Sequence, residues 1–151
     1  MTTIIRPATL ADVPAIVAMG ARFLLEGEYA GLVIPDDARL TATVTAYVQQ
    51  SEWIILVADQ AGQVVGMIAL MLADSPFARE VLAIETVWWV EPEHRGAGLK
   101  LLRAAEAWAK DRGADALQMT APNARVGALY AKRGYVPIEV AYRRAVEKTC
   151  Q

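Results

Sequence analysis

Apolar positions follow a helical period in the first third of the chain and a strand-like pattern after it. TIIRP, near the start, reads as a short strand. Residues 8–27, ATLADVPAIVAMGARFLLEG, then place Val13, Ile16, Val17, Gly20, Phe23 and Leu24 on one side at helical spacing. Thr9 and Asp12 stand ahead of them in the spacing of a capping box. EGEYAGLVIPDD, rich in glycine, proline and acid, reads as a loop. A second helix is predicted to about residue 50, with Leu40, Val44, Tyr47 and Val48 inward.

From residue 53 the pattern changes. WIILVAD, the turn QAGQ and VVGMIALML read as paired strands, and LAIETVWWV as another; their nearly unbroken apolarity predicts a sheet covered on both faces. A helix follows over about 98–112, burying Leu101, Leu102, Ala105, Trp108 and Ala109, with Gly113 just past its end. ALQMT reads as a strand, NARVGALYAKR as a short helix stopped by Gly134, and YVPIEVAYRRAV as a last strand in which Pro137 marks a bend, bulge or edge. The order predicts an α/β (α+β) fold: a mixed sheet with helices on both faces.

Composition narrows the classes. The 151 residues carry no linker-like tract and fit a single domain over 1–151. Fifteen basic residues against 17 acidic ones give a formal charge of −2, which offers no general attraction for nucleic acid. The longest apolar run is too short to cross a bilayer, and the first residues lack a convincing secretion signal, so the expectation is a soluble cytoplasmic protein without membrane contact. One cysteine (Cys150) and one histidine (His94) exclude an internal disulfide and argue against a dedicated metal site. Cys150 reads as a tail residue.

EPEHRGAGLKLL, residues 91–102, runs from an apolar strand straight into a helical segment through two glycines. Helix starts leave N–H groups unpaired and carry partial positive charge, so small residues there let an anion come close. Gly96 and Gly98 would permit that approach, with Arg95 and Lys100 adding charge; an ordinary strand-to-helix turn is the alternative. The spacing is not that of a P-loop, and Leu101 stands where a dinucleotide fingerprint needs its third glycine.

The stretch V-x-P-x-x-R-G-x-G-L-x-x-x-L (Val90 to Leu102), followed by N-x-x-x-G-A-L-Y-x-x-x-G-Y (Asn123 to Tyr135), resembles the two core motifs of the GNAT superfamily of acyl-CoA-dependent N-acyltransferases. The likeness extends to the opening I-R-x-A-T-x-x-D and is closest to small single-domain bacterial and phage-type members. It implies a mostly antiparallel central sheet, acetyl-CoA or coenzyme A as co-substrate, no metal, and a homodimer as a common state. By resemblance, Arg95, Gly96, Ala97, Gly98, Leu99 and Lys100 form the turn that binds pyrophosphate. Backbone groups of Trp88, Trp89 and Val90 pair with pantetheine, and the Val90 N–H donates to the thioester oxygen. Glu93 departs from the family's pattern, which has Gln or Arg there; an acid pointing into the turn would weaken binding.

Acetyl transfer needs a base for the amine, a donor for the developing oxyanion and a proton for the leaving sulfur. Tyr130 matches the family's acid, although it also belongs to an apolar helix side with Val126 and Leu129. Asn123 caps that helix or bonds the pantetheine arm. Glu85 is the candidate base because a carboxylate among apolar neighbours holds its proton more tightly; a wet sheet edge or an arginine partner would make it ordinary. Glu26, Glu28 and Tyr29, with Asp36 and Asp37 nearby, are candidates for binding a cationic amine; a solvated loop looks the same. The implied function is N-acetyl transfer from acetyl-CoA to a primary amine, metabolite or peptide, in a ternary complex. A non-catalytic acyl-CoA-binding sensor or interaction module is the alternative, and an RNA-modifying activity is disfavoured by the acidic charge.

Overall fold

The computed structural model describes residues 2–148, so Cys150 lies outside the described residues. The chain forms two compact units, 1–120 and 121–151. The first contains β1 (Thr3–Pro7), α1 (Val13–Glu26), α2 (Asp37–Gln49), β2 (Trp53–Gln60), β3 (Gln63–Asp74), β4 (Val81–Val90), α3 (Ala97–Asp111) and β5 (Ala116–Gln118). The strands form one sheet in the order β1-β2-β3-β4-β5. Its first four are antiparallel neighbours, and β5 joins β4 in parallel.

Both faces of this sheet are covered, for the reason the apolar runs suggested. Along β2, Ile55 and Val57 face α1 and α2, where Val13, Ile16, Met19 and Val44 complete one core. Leu56 and Ala58 turn the other way, against Leu101 and Ala105 of α3. Period two on a strand buried on both sides leaves no polar position to mark either face. Met19 is buried although it falls outside the helix side predicted from spacing. The inward set of α3 is as expected, with Trp108 only half-buried.

The entry into α1 is held by charge. Asp12 accepts from the Thr9 N–H at 2.7 Å and takes both arms of the Arg6 guanidinium, at 2.8 and 3.0 Å. Arg6 also donates to Asp59 of β2, which ties the first strand, the helix start and the second strand together.

In the second unit α4 (Ala124–Lys132) opens on Asn123, whose Oδ1 accepts from the Val126 N–H at 3.0 Å. It ends at Gly134, whose φ of 89° is the left-handed conformation glycine adopts without strain. The expected strand YVPIEVAYRRAV does not form: residues 135–148 are neither helix nor strand. Alternation alone does not make a strand, which requires a neighbour to take its backbone hydrogen bonds.

Candidate active site

A single extra residue shapes the functional end of β4. Ala69 of β3 faces Val87 and Leu70 faces Glu85, so Thr86 has no opposite number and forms a β-bulge. The Thr86 hydroxyl lies 3.4 Å from the Ala69 carbonyl.

On its other side β4 pairs with β5 only at Leu82, Ala83 and Ile84. From residue 85 to 90 that edge of β4 has no strand partner among the described residues, while its opposite edge stays paired with β3 as far as Val90. The two parallel strands therefore part at Glu85. An open strand edge offers backbone donors and acceptors to an extended, amide-containing ligand.

Glu85 sits at the parting. It is buried, and its Oε2 accepts from the Thr120 N–H at 3.0 Å. Burial pushes its carboxyl up to about 7, against the opposing pull of that hydrogen bond. The carboxylate is buried rather than on a wet edge, and among the described residues it forms no ion pair with an arginine. Thr120 itself was not foreseen from sequence: a main-chain donor leaves no residue-type signal.

Beyond β4 the turn Pro92–His94 leads to α3, which has no side-chain cap at its first turn. Gly96 and Arg95 are exposed, Ala97 and Gly98 buried, and Leu99 and Lys100 exposed on the first turn. The Gly98 N–H donates to the Arg95 carbonyl at 3.1 Å, which corrects the expectation of a wholly unbonded run of amides. Protein packing does not demand either glycine. A Cβ on Gly96 would meet nothing within 4 Å, and one on Gly98 would rest 3.6 Å from the Trp88 ring.

The two tryptophans divide as strand geometry requires. Trp89 is buried in the α1–α2 core, and the Arg95 guanidinium lies over its ring at 5.8 Å. Trp88 is half-buried on the α3 side. Glu91, next to the turn, pairs with Arg22 of α1. Together with Gln63, Glu93 and His94 they line a cavity of about 420 Å³, so Glu93 is found on the α1 side of the turn.

Glu26, Glu28 and Tyr29 are all exposed in or beside the α1–α2 loop. Tyr29 packs on Phe23 with ring centroids 5.7 Å apart. Asp36 accepts from the Arg39 N–H at 2.7 Å as the cap of α2, and Asp37 lines a groove between α1 and α2. In the second unit Tyr130 is buried and lies 5.2 Å, ring to ring, from Tyr135. Among the described residues no group of His, Cys, Asp and Glu could hold a metal, and no helix is long and apolar enough to cross a membrane.

Comparison with known proteins adds the following. The family model described as Acetyltransferase (GNAT) family matches residues 22–135. Among solved structures, a predicted acetyltransferase from Clostridium acetobutylicum with acetyl-CoA superposes with a TM-score of 0.77 at 19% identity, covering 95% of this chain and 96% of that one. An aminoglycoside acetyltransferase from an uncultured soil metagenomic sample, in complex with sisomicin, gives 0.70 at 18% identity over 96% of this chain and 97% of that chain. A transcriptional regulator from Bacillus halodurans gives 0.76 at 21% over 96% and 100%. These likenesses are of fold. No curated protein sequence matches the chain.

Proposed function

We propose that this chain, which belongs to the acetyltransferase (GNAT) family, is a single-domain cytoplasmic N-acetyltransferase that moves an acetyl group from acetyl-CoA to a primary amine. The observation that carries the reading is Glu85, buried at the parting of β4 and β5 and anchored by the Thr120 amide. A carboxyl held up to about 7 is matched to taking a proton near neutrality, directly or through a water.

The residues divide the work as follows. The uncapped first turn of α3 and the small residues 96–98 leave room for a pyrophosphate, and Arg95 and Lys100 bring positive charge to the same turn. With the Gly98 N–H turned to the Arg95 carbonyl, the neighbouring amides of Gly96, Ala97 and Leu99 are the donors proposed for it. The open edge at Trp88, Trp89 and Val90 suits a pantetheine arm, with Val90 N–H as donor to the thioester oxygen. Glu85 accepts the ammonium proton and releases it to solvent, the amine nitrogen bonds to the acyl carbon, and as the carbon–sulfur bond breaks the nitrogen gives up its second proton, which replaces the one the Tyr130 phenol hands to the sulfur. Tyr130, assigned from its place in the second motif, supplies the proton for the departing sulfur. Asn123 has its cap to account for it, and a pantetheine contact is a further role.

The acceptor is proposed to be a small cationic amine. Exposed Glu26, Glu28 and Tyr29 suit one, and a neighbouring fold is that of an aminoglycoside acetyltransferase. Measuring thiol release from acetyl-CoA against a panel of amines tests the whole. Coenzyme A binding without turnover on any acceptor would replace the enzyme by a sensor or interaction module of the same fold. Absence of binding would remove both.

A further inference from the structure

Glu91 stands where β4 ends and the turn toward α3 begins, and it is held on three sides. Its N–H donates to the Val65 carbonyl of β3 at 2.9 Å, its carbonyl accepts from the His94 N–H at 2.8 Å, and its carboxylate pairs with Arg22 of α1. Arg22 Nε is buried with no hydrogen-bond partner among the described residues. A buried donor left unpaired costs free energy, so it is the contact with Glu91 that holds the guanidinium in this place. The pair ties the turn to a helix that lies 69 residues earlier in the chain.

A second contact grips the turn from the same side of the sheet. Trp89 packs in the core under α1, and Arg95, at the far end of the turn, rests its guanidinium over that ring. On the other side Ala97 and Leu101 of α3 enter the opposite core. The segment from Glu91 to Gly98 is thus clamped between α1 and α3, and the Arg22–Glu91 pair is the part of the clamp that α1 supplies. Charge is a separate matter. Arg22 is the one permanent cation among the residues lining the cavity that it shares with Glu91 and Glu93.

We infer that Arg22 is a positioning residue for coenzyme A, acting through Glu91 to set the place of the turn whose amides receive the pyrophosphate. The inference rests on the function proposed above and extends it to a residue outside both sequence motifs. Arg22 takes no part in the transfer step, so its loss shows in coenzyme affinity rather than in turnover. It acts by position and not by charge: the tie to Glu91 fixes where the first-turn amides lie, and a donor displaced by a fraction of an ångström no longer meets its oxygen.

Calorimetry with coenzyme A on the whole chain tests this. The Arg22 and Glu91 side chains are 41% and 22% exposed, so Arg22→Gln and Glu91→Ala should both fold. Each should weaken coenzyme A binding about tenfold and raise the KM for acetyl-CoA in step, while kcat at saturating acetyl-CoA stays within about threefold. The double variant should also lose about tenfold rather than about a hundredfold, because the two residues act as one pair. Glu91→Ala separates position from charge: if charge alone mattered, removing an acid would tighten the binding of a polyanion, and that result overturns the proposal. Losses that multiply in the double variant overturn it too, as does a kcat that falls with affinity spared. If the unmodified protein does not bind coenzyme A, the function proposed above falls and this role with it. If it binds and Arg22→Gln binds equally well, with only a lower melting temperature, this role alone falls.

Discussion

The Thr120 N–H points at Glu85 Oε2 across 3.0 Å, at the place where β4 loses β5 as its neighbour. The bond lowers the carboxyl's proton affinity and burial raises it; burial wins and sets the group near 7. A carboxylate fixed by a main-chain donor is held in one orientation at its working end.

Glu85→Gln should remove the rise of acetyl transfer with pH that is centred near 7, and lower the rate at pH 8 by roughly 10²–10⁴-fold. Initial rates from pH 5.5 to 9 read this directly. If the variant keeps the same limb, Glu85 is not the base.

The same group predicts a stability effect of definite sign. A carboxyl raised from its ordinary value to about 7 binds its proton more tightly folded than unfolded, so the protein loses stability as pH rises from the ordinary carboxylate range through 7. Glu85→Gln, which keeps an oxygen for Thr120 and never ionises, should melt higher than the parent at pH 8 and close to it at pH 5. Thermal unfolding at the two pH values checks both halves.

Asp12 behaves in the opposite sense. Hydrogen bonds from the Arg6 guanidinium hold its carboxyl down at about 2. The stability this contributes is complete above the ordinary carboxylate value and is lost as pH falls toward 2. Asp12→Asn should destabilise by about 1–3 kcal/mol at pH 7, and the loss should shrink in acid. Urea titrations at pH 7 and pH 3 measure the difference.

Two glycines should part company. A Cβ on Gly66 would lie 3.2 Å from Leu101, from the Trp89 carbonyl and from Val90, so Gly66→Ala should cost about 1–3 kcal/mol through overpacking. A Cβ on Gly98 meets only ordinary contacts, at 3.6 and 3.8 Å, and Gly98→Val should fold, yet lose coenzyme A binding through its branches beside the first-turn amides. Calorimetry on both variants separates a packing glycine from a binding one. Normal coenzyme A affinity in folded Gly98→Val would move the site elsewhere.

Tyr130→Phe should lower turnover by about 10²-fold or more while coenzyme A affinity stays within a few-fold. A large loss of affinity with turnover spared would mean that the phenol binds rather than donates.

What the sequence determined by itself was mostly local: helix periods with most of their inward residues, though not Met19, the Thr9–Asp12 capping box, the Asn123 cap, the glycines ending α3 and α4, and the two motifs that resemble the family whose model matches the chain. Such signals survive in one dimension because each depends on residues within a turn or two of one another. Tertiary structure alone decided the rest. The bulge at Thr86 depends on the register of β3, and the shift in Glu85 depends on burial and on an amide 35 residues away. The exposure of Val136 to Val146 depends on which partner their backbone finds, and alternation along a chain carries no record of that partner.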